Sequence, residues 1–147
     1  MPATNKPRAH LISCMSYPEA DAAVAWLQAA FGFAPHAVYR DGTGKVVHAE
    51  LTFANGMIMI GPVRKEEFGE RFMILPTQAG GKCTQTVYAI VDDVDLHHDR
   101  AKAAGAEIVM APADQDYGGR LYSARDIGGH IWSFGSYDPW KTQTTSG

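Results

Sequence analysis

The sequence predicts an α+β protein made of one small unit, βαβββ, written twice. Residues 116–135, DYGGRLYSARDIGGHIWSFG, alternate Leu121, Ser123 and Arg125 against Tyr122, Ala124 and Asp126. They break at Ile127, Gly128 and Gly129 and resume an apolar run from His130 to Phe134, which is the pattern of a β-hairpin. Residues 47–61, VHAELTFANGMIMIG, repeat that pattern around Asn55-Gly56. A shift of 74 residues carries Gly61 onto Gly135, Ile60 onto Phe134, Asn55 onto Gly129 and Asp21 onto Asp95.

Each element has its own signal. Met1 to Arg8, with two prolines, reads as a loose leader. His10 to Ser16 is a first strand with His10, Ile12 and Cys14 on one face. A helix opens at Tyr17-Pro18-Glu19-Ala20-Asp21, carries Val24, Leu27 and Phe31 at helical spacing with Trp26 and Ala30 beside them, and closes at Gly32. Phe33 to Tyr39 and Lys45 to Phe53 are strands around a turn at residues 40–44, and Met57 to Gly61 is the fourth strand. In the second copy Thr84 to Val91 is a strand, and Asp93-Val94-Asp95 starts a helix that ends at Ala104-Gly105. Ala106 to Met110 and the 116–135 hairpin complete it. Gly32 meets Gly105 at a shift of 73, the mark of a one-residue length difference between duplicated units. The expected organisation is one domain over residues 1–147, with half-units at about 9–61 and 84–135, a linker over 62–83 and a flexible tail over 141–147.

Composition narrows the function. With 46% hydrophobic and 20% charged residues the chain is too apolar for disorder. A net charge of −3 and no Lys/Arg stripe argue against a nucleic-acid partner. No apolar run approaches the ~20 residues that span a bilayer, so a membrane role is not expected and the expected location is the cytoplasm. Cys14 and Cys83 lack CxxC spacing and read as reduced thiols.

The paired βαβββ units, with HAELTFANGMIMIG in one and SARDIGGHIWSFG in the other, resemble the vicinal oxygen chelate superfamily. That group holds glyoxalase I, bleomycin-resistance proteins, fosfomycin-resistance enzymes and extradiol dioxygenases. The resemblance spans His10 to Trp140 and implies two cupped half-barrels around a cavity, paired as a homodimer in many members. In its metalloenzymes a divalent ion is held from the first strand of each half, from the last strand, and in glyoxalase I from a glutamate in the ELT strand. Carried over, those positions are Ile12, Thr86, Ser133 and Glu50. Only Glu50 is a competent ligand, because Zn²⁺, Ni²⁺ or Fe²⁺ needs several His, Cys or carboxylate donors. The expectation is therefore no metal cofactor; the alternative is a divalent metal (Zn, Ni or Fe) on His10, His48 and Glu50, which share strand faces.

His48 and Glu50 stand two apart on one strand and form either an acid/base pair or a polar pair in a cavity wall. Arg120 reads as an anion or carbonyl contact, against a surface ion pair with Asp114 or Asp116. Trp132, Tyr122 and Phe53 offer aromatic surface for a flat ligand, with Thr86 and Ser133 beside them, although Trp132 also suits a core. His130 is expected to bond the turn backbone, and His97 and His98 to face solvent. Two readings follow: a metal-free homodimer sequestering a small organic or antibiotic-like molecule, and an enzyme of the same fold using Glu50 and His48 as a lyase, isomerase or acid/base catalyst. A purely structural dimer with a filled cavity is the third.

Overall fold

A computed structural model describes residues 7–141. Nearly all of the leader and of the tail lie outside the described residues. The first unit runs β1 (Ser13–Tyr17), α1 (Ala20–Phe31), β2 (Ala34–Arg40), β3 (Val46–Phe53) and β4 (Gly56–Pro62). A short helix, α2 (Glu67–Phe72), and a 3₁₀ turn over Pro76–Ala79 follow. The second unit is β5 (Val87–Ile90), α3 (Val94–Ala103), β6 (Glu107–Asp114), β7 (Arg120–Arg125) and β8 (Ile131–Gly135). The sheets are ordered β1-β4-β3-β2 and β5-β8-β7-β6, with the first strand of each unit parallel to its last.

The duplication holds at the level of pairing. Ser13 faces Ile58 and Val87 faces Trp132, and both members of the second pair lie 74 residues after the first. Ala37 faces Glu50 and Met110 faces Ser123, each 73 residues on. The offset changes at the end of the helix and returns in the last hairpin, whose turn is one residue longer. In the first unit Phe53 pairs with Gly56 across Ala54-Asn55, and Ala54 takes φ 51. The turn therefore sits one residue earlier than the Asn55-Gly56 signal suggests. In the second, the Asp126 N–H donates to the His130 carbonyl across three residues, the His130 N–H donates back to Asp126 Oδ1, and Gly129 takes φ 90.

The strand boundaries differ from expectation. β1 starts at Ser13, where its parallel pairing with β4 begins at Ile58, two residues into that strand, so His10 and Ile12 precede the strand. β5 likewise starts at Val87, leaving Thr86 just ahead of it. β6 runs on past Met110 to Asp114 despite Pro112, which falls where the register slips between Met110 and Ala113 on an edge strand, a place that tolerates a missing N–H. The connecting segment, expected as plain linker, carries α2 and the 3₁₀ turn.

α1 and α3 each cover one face of their own sheet and pack on one another. α1 buries Ala20, Ala23, Val24, Leu27, Ala30 and Phe31 and ends on Gly32 at φ 87, as its spacing predicts. Asp93 caps α3 by accepting from the Leu96 N–H at 3.0 Å. One core cluster joins both units, with Phe31 at its centre: ring centroids of Trp26, Phe134 and Trp132 lie 4.9, 4.7 and 5.4 Å away. The opposite faces of the sheets are left for other purposes.

Candidate functional site

Strand alternation decides what faces away from the core. In β3, Ala49 and Leu51 are fully buried against the helices, so His48 and Glu50 point to the other face. In β4 the same parity puts Ile58 and Ile60 inside and Met59 outside. This outer face of the first sheet lines an open hollow of about 1050 Å³. From that face Cys14, Ser16, His48 and Met59 make one wall, Met15 borders the hollow although it shares the inner face with Ile60, and residues Val63 to Glu66, Phe68 and Met73 of the connecting segment make the other wall. A second hollow of about 680 Å³ adjoins it, shares Cys14, Met15 and Met73, and is lined by Ile12, Thr86, His130 and Ile131.

His48 Nε2 lies 3.0 Å from Glu50 Oε2, with side chains 39% and 24% exposed. Tyr39 stands opposite on β2 with its ring 5.7 Å from that of His48. Of the four positions carried over from the metalloenzymes, Ile12 and Thr86 are exposed around the second hollow. Ser133 is committed elsewhere, its hydroxyl 2.7 Å from that of Ser123, the residue in the second unit that matches Glu50. His10 is exposed ahead of β1, and among the described residues no three His, Cys, Asp or Glu side chains are placed to hold one ion. The structure does not assemble His10, His48 and Glu50 into a set.

The aromatic expectations divide. Tyr122 and Trp132 lie on the helix side of β7 and β8, 0% and 1% exposed, and belong to the core rather than to either large hollow. Phe53, together with Trp132, lines a third and smaller cavity of about 310 Å³ between the β3–β4 turn and β5. Arg120 pairs with Asp95 at 3.1 Å and Asp114 at 3.2 Å, and Asp116 is not a partner. These bonds, those from Asp95 foremost, hold its guanidinium above its ordinary pKa, and its fork is occupied.

His97 corrects the expectation that it faces solvent. It shares the inner face of α3 with Val94 and Ala101, at i+3 and i−4, a periodicity legible in the sequence. Its Nε2 lies 2.9 Å from the Phe31 carbonyl and its Nδ1 2.5 Å from the Tyr122 hydroxyl. The carbonyl accepts only, so Nε2 carries the proton and Nδ1 receives that of Tyr122. His130 does bond backbone, but that of β1: its Nε2 is 2.8 Å from the Ser16 carbonyl, which ties the second hairpin to the first unit.

Burial, helped by the Arg100 charge, lowers the His97 pKa. A depressed folded value means the unfolded chain binds the extra proton, so this contribution is complete above about pH 6.5 and is lost as the pH falls through the folded value. Urea unfolding at pH 7.5 and 5.5 should show a loss of stability on acidification that is smaller in His97→Gln. Equal pH dependence in the two proteins would remove His97 as the source.

Sequence reasoning passed over the methionines and Phe68 that line the first hollow. It also passed over Asp126, which the structure places at 6% exposure with four donors around it. The alternation in MIMIG was a usable signal for Met59. Asp126, ahead of Gly128-Gly129, was a usable turn signal for two of those bonds, whereas nothing local marks the bond from Tyr17, 109 residues away.

A profile of the Glyoxalase/Bleomycin resistance protein/Dioxygenase superfamily matches residues 9–134. An uncharacterized protein of Mycobacterium bovis is 37% identical over 92 residues, which cover 63% of this chain and 59% of that protein. The chain thus matches less than two thirds of that relative's length. Among solved structures, TioX from Micromonospora sp. ML1 is similar at 31% identity and TM-score 0.67, over 93% of this chain and 100% of that one. A glyoxalase-related enzyme from Fulvimarina pelagi is similar in fold, at 16% identity and TM-score 0.65 over 90% of each chain.

Proposed function

The chain belongs to the Glyoxalase/Bleomycin resistance protein/Dioxygenase superfamily, and from that premise we propose that it binds and sequesters a small organic molecule without the superfamily's usual metal. The carrying observation is the hollow of about 1050 Å³ on the outer face of the first sheet, walled by Met15, Met59, Val63, Phe68 and Met73. Its volume is at the upper limit of small-molecule sites. Methionine and phenylalanine offer an adaptable, polarizable surface to a flat or largely apolar body. His48, Arg64, Lys65 and Glu66 supply the few polar contacts that orient it.

The donor set supports the metal-free form of this reading. Ile12 has no donor atom, Thr86 and Ser133 are weak neutral hydroxyls, and the Ser133 hydroxyl already bonds Ser123. Glu50 alone does not make a site for Zn²⁺, Ni²⁺ or Fe²⁺. Pairing of two copies belongs to the same proposal, and sedimentation velocity reads it directly.

The test is methyl NMR of methionine-labelled protein titrated with bleomycin and with a hydroxylated anthraquinone. Binding should shift the Met15 and Met59 methyls, and Met59→Lys should weaken it at least about tenfold, because a charge placed on an apolar wall opposes seating of an apolar body. No shift with any flat probe, or shifts confined to other methyls, would sink the proposal.

A further inference from the structure

At the edge of the first hollow His48 and Glu50 stand 3.0 Å apart. We propose that His48, held by Glu50, is a general base whose free Nδ1 takes a proton from an acidic C–H or O–H group of a flat ligand in the hollow. This rests on the hollow being the binding site.

The arrangement follows from β3. It is paired on both edges, by β2 and β4, so side chains on it are rigidly mounted. Its period of two sets Glu50 beside His48, 3.0 Å from Nε2. An ionised carboxylate only accepts, so neutral His48 carries its proton on Nε2 and leaves a lone pair on Nδ1. Nδ1 has no partner among the described residues. His48 lines the hollow and Glu50 does not, so the carboxylate stands behind the imidazole and steadies the imidazolium that forms when the proton arrives. Lys65 lines the same hollow and forms no ion pair among the described residues, whereas Arg64 is held by Glu66. Its ammonium can meet negative charge developing on the ligand.

The alternative is a partly solvated polar pair with no chemistry, and 5-nitrobenzisoxazole, a flat carbon acid, separates the two. In its elimination the C3 proton passes to His48 Nδ1 and the C–H electron pair becomes the third bond of a nitrile. The N–O bond then breaks and its pair leaves as a coloured phenolate, so the reaction is an isomerisation needing no oxidant or metal. The wild-type protein should react with the probe saturably and at least about tenfold faster, mole for mole, than free imidazole, within the range positioned bases supply. His48→Ala should fall to the imidazole level. Glu50→Gln should lower kcat with KM for the probe little changed, and Glu50→Asp should restore part of it.

Nitrogen-15 NMR of His48 without any ligand should find Nδ1 unprotonated in the wild type and mixed tautomers in Glu50→Gln. A protonated Nδ1, or a His48→Ala protein as fast as the wild type, overturns the proposal. A probe that shifts the Met15 and Met59 methyls but reacts no faster than with imidazole also overturns it and leaves sequestration standing. Failure of the probe and of bleomycin alike to move those methyls removes both.

Discussion

Replacing Asp126 by Ala should destabilise the protein by about 3 kcal/mol or more, read as a fall in the urea midpoint. The carboxylate is almost wholly buried and accepts four hydrogen bonds. Tyr17 Oη donates at 2.5 Å and Trp132 Nε1 at 2.9 Å, both to Oδ2, while the N–H groups of Gly128 and His130 donate to Oδ1 at 2.9 Å each. Two of these shape the last turn, and Tyr17 brings the end of β1 to it, so one side chain fixes the hairpin and joins the units. Alanine would leave buried donors unpaired, each costing about 1–3 kcal/mol where water does not reach it. The phenol of Tyr17 is held well above its ordinary pKa by burial first and then by the Asp126 charge, so it remains a donor at all ordinary pH. Asp126→Asn should cost less than alanine, because its oxygen still accepts while its amide nitrogen meets another donor. A loss below about 1 kcal/mol for Asp126→Ala would show that water or relaxation satisfies the donors.

Phe31→Ala should cost about 3–5 kcal/mol, the range for deleting a buried aromatic. Phe31 is the last residue of α1, fully buried, and touches Trp26 from its own helix, Trp132 and Phe134 from β8, and His97 from α3 at 6.2 Å between centroids. Most of what it holds belongs to the other unit. The cavity left behind would therefore lie between the units, where neither sheet can collapse into it without breaking its own pairing. Urea unfolding followed by tryptophan fluorescence and by far-ultraviolet circular dichroism should still give coincident transitions, since the core is shared. A loss under about 1.5 kcal/mol, or two separate transitions in the wild type, would contradict that picture.

The fold was legible because its signals are local and repeated. Gly32 ends α1 and Asp93 caps α3 where the sequence places them, and the 74-residue shift reappears as identical strand pairing. Strand ends were less legible, because β1 and β5 begin where their pairing with β4 and β8 starts, one or two residues into those strands, and that depends on distant chain. For the site, the adjacency of His48 and Glu50 follows from strand period alone and is met at 3.0 Å. Trp132 and Tyr122 could not be assigned a side from alternation by itself. Alternation says that they share a face, while only the packing of β8 and β7 under the helices says that this face is the core. Arg120 shows the same gap, since Asp95 lies 25 residues away and is brought to it by the docking of α3 on β7.

By itself the sequence determined the element order within each unit, the duplication, the absence of matching donors at three of four carried-over metal positions, and which side chains share a strand face. These depend on backbone period, turn chemistry and residue type, all local properties. Only the tertiary structure decided which face of each sheet is buried, that His97 and Asp126 lock the two units together, and that the connecting segment walls a hollow beside His48. Those depend on contacts between residues tens to more than a hundred positions apart. Such contacts form where burial of a shared core outweighs the cost of closing the chain, a balance that no short stretch of sequence records.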